Sequence, residues 1–172
     1  MDTNQHHPFV KLAVEAIENY IKQGEVTAPP EALPPELKVR RGVFVSIKKT
    51  GRLRGCIGTI RPAGETLAEE IINNAISAAT KDPRFEPVTE EELRDLIISV
   101  DVLSEPQPVI DVGDLNPKQY GVIVSKGYQQ GVLLPDIGVE TVEEQLRICR
   151  QKADIKDDEK TDIYKFEAVR YR

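Results

Sequence analysis

The chain of 172 residues has no tryptophan, one methionine, two cysteines and two histidines. The scarcity of cysteine and histidine closes off whole classes of function. Two cysteines, Cys56 and Cys149, in segments of unlike type do not make a disulfide framework and point to reduced thiols. The histidines, His6 and His7, are adjacent near the N-terminus, so neither zinc-finger spacing nor a Cys–His catalytic pairing is available, and no metal or other cofactor is expected. The longest apolar runs, such as "LIISV" at 96–100, fall far short of the roughly 20 residues that cross a bilayer. The start "MDTNQHHPFV" lacks the basic-then-apolar pattern of a secretion signal, so the expectation is a cytoplasmic protein without membrane contact.

What is present is the balance of a folded domain, 40% hydrophobic and 30% charged residues, with a net charge of −6. The length suits one domain with a smaller lobe within it. Apolar positions Phe9, Leu12, Ala13, Ala16, Ile17, Tyr20 and Ile21 predict an amphipathic helix over 8–23, ended by Gly24. Four prolines make 27–38 an extended connector. Hairpins are predicted over 42–60 and 121–135, the second with its arms separated by Gly127 and Gly131. Strands are predicted at 96–103 and along the terminal "DIYKFEAVRYR". Thr66/Glu69, Thr89/Glu92 and Thr141/Glu144 have capping-box spacing and start helices at 66–82, near 90–95 and near 141–153. Hairpins impose antiparallel pairing, so the fold class is α+β, a mostly antiparallel sheet flanked by helices.

The segment "RLRGCIGTIRP" at 52–62 sets a thiol between close glycines and among arginines. On a regular strand Arg52, Arg54 and Cys56 would share one side and Leu53 and Ile57 the other, with Arg54 about 6–7 Å along the strand from the thiol. A cation there favours the thiolate. Gly55 and Gly58 admit either a close ligand or a crossing helix. Positions 38–61 hold eight cations, Lys38, Arg40, Arg41, Lys48, Lys49, Arg52, Arg54 and Arg61, and no acid, whereas the remainder carries a net −14. That segregation suits an anionic ligand or an acidic partner surface, or else a solvated hairpin face. The corner "KDPRFEP" at 81–87 reads either as a structural turn anchored by Phe85 or as a wall, through Asp82 and Arg84, of a cleft shared with Cys56.

Taken together, "LRGCIGT", "DPRFEPV", "VDVLSEP", "YGVIV", "GVLLP" and "CRQKA" resemble, in order, the AMMECR domain family, known in microbes as AmmeMemoRadiSam system protein A. The resemblance implies an AMMECR-type domain over 1–172 with an antiparallel sheet and two unequal lobes, and marks Arg54–Cys56 as the hallmark. It also implies association with a Memo-like protein and a radical SAM protein. One departure stands out: the family commonly has a tryptophan near the last helix and a "KAGL" ending, where this chain has "VETVEEQ" and "KADI" with Asp154.

Two functions follow from these residues. In one the protein is an accessory component that binds a ligand or partner, with Arg52, Gly55, Gly58, Thr59, Asp82 and Arg84 around an anionic small molecule or short RNA. In the other it is a thiol enzyme acting on an anionic nucleotide or RNA, with Cys56 as nucleophile, Arg54 stabilising negative charge and a carboxylate such as Asp82 assisting proton transfer.

Overall fold

The computed structural model describes residues 7–172; His6 lies outside them. The described chain separates into two compact units, residues 7–103 with 169–172, and residues 104–168.

In the first unit the predicted helix is α1 (Pro8–Gln23), entered through Pro8 in its first turn and closed by Gly24 at φ 73°. The proline-rich connector is irregular except for one 3-10 turn at Pro35–Leu37. β1 (Val43–Lys49) and β2 (Arg52–Thr59) form the hairpin. α2 (Leu67–Thr80) follows, with the Thr66 hydroxyl accepting from the Glu69 amide. A 3-10 helix at Glu90–Asp95 leads into β3 (Leu96–Leu103). The sheet order is β2-β1-β3-β8, where β8 is Ala168–Tyr171, with β2 and β3 antiparallel to β1. Val43, Val45 and Ile47 of β1 and Ile98 and Val100 of β3 are buried with the apolar stripes of α1 and α2 in one core. Burying such a set removes water from a continuous aliphatic face, the main favourable contribution to this unit.

The second unit holds β4 (Gln107–Pro108), β5 (Gly121–Lys126), β6 (Gln129–Leu133), α3 (Val142–Lys152) and β7 (Asp162–Phe166) in a sheet ordered β4-β7-β5-β6, with antiparallel pairs throughout. Its core gathers Val122, Val124, Leu133, Cys149 and Ile155. The architecture is α+β, built on two four-stranded sheets.

Two expectations are corrected. The terminal segment is two strands, not one: β7 belongs to the second sheet and β8 (Ala168–Tyr171) to the first, parted at Glu167. Gly131 lies inside β6 and not in the turn, because α3 crosses there so closely that a Cβ on residue 131 would collide with the Cys149 carbonyl oxygen. Asp154 explains the "KADI" departure. Asp154 takes φ 55°, and the Ile155 and Asp154 amides bond back to the carbonyls of Arg150 and Gln151, a Schellman closure of α3 with aspartate at the left-handed position that usually belongs to glycine.

Candidate functional site around Cys56

β2 is an edge strand, and the hairpin is not regular. Ile47 pairs with Gly55 but Lys48 pairs with Leu53, so Arg54 is an extra residue in a β-bulge. The bulge overturns the simple alternation expected for 52–60. Cys56 stands opposite Ser46, and their side chains meet at 3.2 Å between Sγ and Oγ. Arg54 is turned elsewhere: its Nε and Nη2 donate to the two Glu92 carboxylate oxygens at 3.0 and 2.8 Å, and its Nη1 and Nη2 donate to the carbonyls of Glu86 and Pro87. Lys49 reaches the same carboxylate at 2.9 Å. Held chiefly by Arg54, the Glu92 carboxyl is lowered to about 2.

The cation next to Cys56 is Arg84. An edge strand leaves backbone groups unpaired, and the "DPR" corner supplies the missing partners at this residue. The Cys56 amide donates to Asp82 Oδ2 at 2.8 Å, while Arg84 Nη2 donates to the Cys56 carbonyl at 3.3 Å. Asp82 and Arg84 are joined by a two-pronged pair, Nε to Oδ1 at 2.9 Å and Nη2 to Oδ2 at 2.7 Å. The Arg84 hydrogen bonds hold the buried Asp82 carboxyl well below the usual carboxylate range, against the cost of burial. Phe85 lies half-buried under the Arg84 guanidinium, while Val88 is the corner's buried core residue. The cysteine motif and the corner motif are therefore two halves of one clasp.

Burial pushes the Cys56 thiol up. The Ser46 hydroxyl and Arg84 oppose the shift, Asp101 and Asp82 add to it, and the net direction remains upward. Asp101 is itself buried and gripped by Arg170 of β8 at 2.8 and 3.2 Å. His7 is spent at the start of α1, where its Nδ1 accepts from the Phe9 amide and its ring lies against Phe9 and Tyr171.

The glycines and Thr59 answer to packing. A Cβ at Gly55 would strike the Ala78 carbonyl of α2, and one at Gly58 would enter the Phe44 ring. The Thr59 hydroxyl donates to buried Glu70, whose other carboxylate oxygen accepts from the amides of Ala63 and Gly64. Arg52 stands exposed at the hairpin turn with no ion pair among the described residues. So Cys56, Asp82 and Arg84 come together, Arg54 and Thr59 are committed to carboxylates, and Arg52 stands apart. Sequence reasoning missed Ser46, Asp101 and Arg170, and saw Glu92 only as a cap.

Among the described residues, no cluster of three or more His, Cys, Asp or Glu side chains is arranged to hold a metal, and no helix is long and apolar enough to cross a membrane.

The chain is similar to known proteins over most of its length. The model of the AMMECR1 family matches residues 10–171. A Thermotoga maritima protein is 55% identical over 170 residues, covering 96% of this chain and 98% of its own. A Clostridium acetobutylicum protein is 50% identical over 168 residues, but this chain spans only 36% of its length. The crystal structure of an uncharacterised Pyrococcus horikoshii protein superposes with a TM-score of 0.88 at 37% identity, covering 94% of this chain and 88% of that one.

Proposed function

Since the chain belongs to the AMMECR1 family, we propose that it is an accessory, non-catalytic binding component of a modification system with Memo-like and radical SAM proteins, and that its basic hairpin engages an anionic ligand or partner. The observation that carries the reading is the state of the eight hairpin cations. Lys49 and Arg54 share the single Glu92 carboxylate and Arg40 caps the Gly64 carbonyl at 3.2 Å, yet Lys38, Arg41, Lys48, Arg52 and Arg61 have no ion pair or side-chain hydrogen bond among the described residues. Unpaired cations on an acidic chain favour an anionic counterpart. Arg41 and Arg61 gather at the open end of the hairpin, where the Gly42 backbone runs so close to Ile60 that no Cβ fits. The longer Clostridium relative, where the matching region is about a third of the chain, is consistent with a module that works beside another.

The competing reading makes Cys56 a nucleophile toward a nucleotide or RNA. A nucleophile needs a lowered thiol pKa or an adjacent base. Here the thiol is raised, its immediate partner is a hydroxyl, and the only described histidine is bound to α1. Those features favour binding. The test is complex formation with the purified Memo-like and radical SAM proteins of the same organism, measured by calorimetry at low salt. The expected result is a complex weakened about tenfold or more by the double change Arg41→Glu, Arg61→Glu, and weakened also by added salt. No complex with either protein removes the partner reading.

A further inference from the structure

The β2-β1-β3 register arranges the side of the first sheet opposite α2 into cross-strand rows. Gly58, Phe44 and Asp101 form one, Cys56, Ser46 and Ser99 the next, and Leu53, Lys48 and Ile97 the row nearest the turn. The first is closed by the Phe44 ring over Gly58 and by Arg170 on Asp101. The second is partly buried. The third is open: Leu53 is 41% and Ile97 60% exposed, and between them Lys48 is exposed with no ion pair among the described residues. Two aliphatic groups flanking an unpaired cation on a solvent-exposed sheet face are unusual, because such faces ordinarily carry polar side chains.

Spacing selects what fits. Neighbouring strands lie about 4.8 Å apart, so Leu53 and Ile97 are about 10 Å apart with Lys48 midway. A helix brings residues i and i+7 to one face about 10.5 Å apart, with i+3 and i+4 between them. An extended segment repeats on one face at about 6.6 and 13 Å and matches poorly. Strand addition along β2 is also obstructed, since Asp82 and Arg84 occupy the edge groups of Cys56. We propose that the Leu53–Lys48–Ile97 row docks an acidic amphipathic helix of a partner protein lying across the strands. Apolar residues at i and i+7 of that helix cover Leu53 and Ile97, and a carboxylate at i+3 or i+4 meets Lys48. The proposal rests on the binding reading above and deepens it by naming the form of the partner.

The test uses the isotope-labelled full chain and two stapled helical peptides of equal composition. One carries Leu at i and i+7 with Glu at i+4; the other has the same residues permuted onto different faces. Titration followed by NMR is expected to shift the amides of Lys48, Leu53 and Ile97 with the first peptide, and to give about tenfold weaker binding with the second. Lys48→Glu and Ile97→Ser are each expected to weaken the first peptide about tenfold, with Leu53→Ser as a further exposed variant should either fail to fold. Equal binding of the two peptides, or binding indifferent to these variants, overturns the proposal. The purified partners separate the two readings. A complex lost with Arg41→Glu, Arg61→Glu but kept with Lys48→Glu, Ile97→Ser overturns the row and leaves the binding reading standing, whereas no wild-type complex overturns the binding reading and the peptides still judge the row.

Discussion

The two units solve the same packing problem at their sheet edges and then diverge. In each, an edge strand carries a glycine where a helix crosses: Gly55 of β2 against the Ala78 carbonyl of α2, and Gly131 of β6 against the Cys149 carbonyl of α3. Each unit also holds one thiol beside that crossing. Cys149 is fully buried in its core, and burial pushes its pKa up to about 12. Cys56 is half-buried, touches a hydroxyl, and shares its backbone with a charged clasp. In both units the glycine is what admits the helix, and charge at the sheet edge is what distinguishes the thiol of the first unit.

The sharpest way to break this parallel is to fill the glycines. Gly55→Ala and Gly131→Ala each force a methyl into a backbone carbonyl that belongs to a packed helix, and each is expected to cost about 3 kcal/mol or more. Denaturant unfolding measures both. A tolerated Gly55→Ala would mean that α2 can move away from β2, and would reopen the ligand-approach reading of that glycine.

Next in size is the clasp. Removing the Glu92 carboxylate leaves Arg54 and Lys49 without their partner, so Glu92→Gln is expected to cost about 2–3 kcal/mol. Asp82→Asn should be comparable, because it strips the Cys56 amide and Arg84 of a charged acceptor. The pH dependence has a definite sign. Both carboxyls are depressed in the folded state, Glu92 to about 2, so their contribution is complete above the unfolded carboxyl range near pH 4–4.5 and is lost as pH falls from there toward 2. The ion pairs of the second unit, Lys126–Glu159 and Lys118–Glu140, lie at the surface, and it should show a weaker acid dependence in hydrogen exchange. Equal acid sensitivity in the two units would dissolve the contrast.

This difference also explains what could be read from the sequence. Helix starts were legible because capping is local: Thr66, Thr89 and Thr141 each precede a helical turn, as their spacing implies. Hairpin positions were legible from alternation and turn residues. The site's internal geometry was not, because a single bulge residue changes every pairing beyond it. Counting outward from the turn puts Ser46 opposite Gly55 and Ile47 opposite Arg54; the extra residue at 54 moves Ser46 to Cys56 and releases Arg54 toward Glu92. Asp101 and Arg170 lie 69 residues apart in sequence and meet only through the sheet order, which no local pattern encodes. The terminal run was read as one strand since nothing in "DIYKFEAVRYR" other than Glu167 signals its division between two sheets.

The thiols give a gentler test. At pH 7.5, alkylation followed by mass spectrometry should modify Cys56 more slowly than a free thiol and Cys149 only when the second unit opens. Arg84→Gln and Ser46→Ala remove the two groups that favour the thiolate and should slow Cys56 further. Cys56→Ser should change stability by about 1 kcal/mol at most, since a hydroxyl replaces a half-buried thiol already facing a hydroxyl. A Cys56 that outpaces free cysteine at this pH would restore the nucleophile reading.

The smallest effect compares the two helix ends. α1 closes on Gly24 at φ 73°, whereas α3 closes on Asp154 at φ 55° with the same kind of left-handed turn. Aspartate carries a Cβ that crowds the neighbouring carbonyl in this conformation, a cost glycine avoids. Asp154 is exposed, and neither its carboxylate nor the turn geometry supplies an ion pair among the described residues to offset that cost. Asp154→Gly should therefore stabilise the second unit by about 0.5–1 kcal/mol, read as a rise in its unfolding midpoint with an unchanged slope. Gly24→Asp should produce the opposite shift of similar size in the first unit. If Asp154→Gly is neutral, the greater freedom of glycine in the unfolded chain has cancelled the relieved strain.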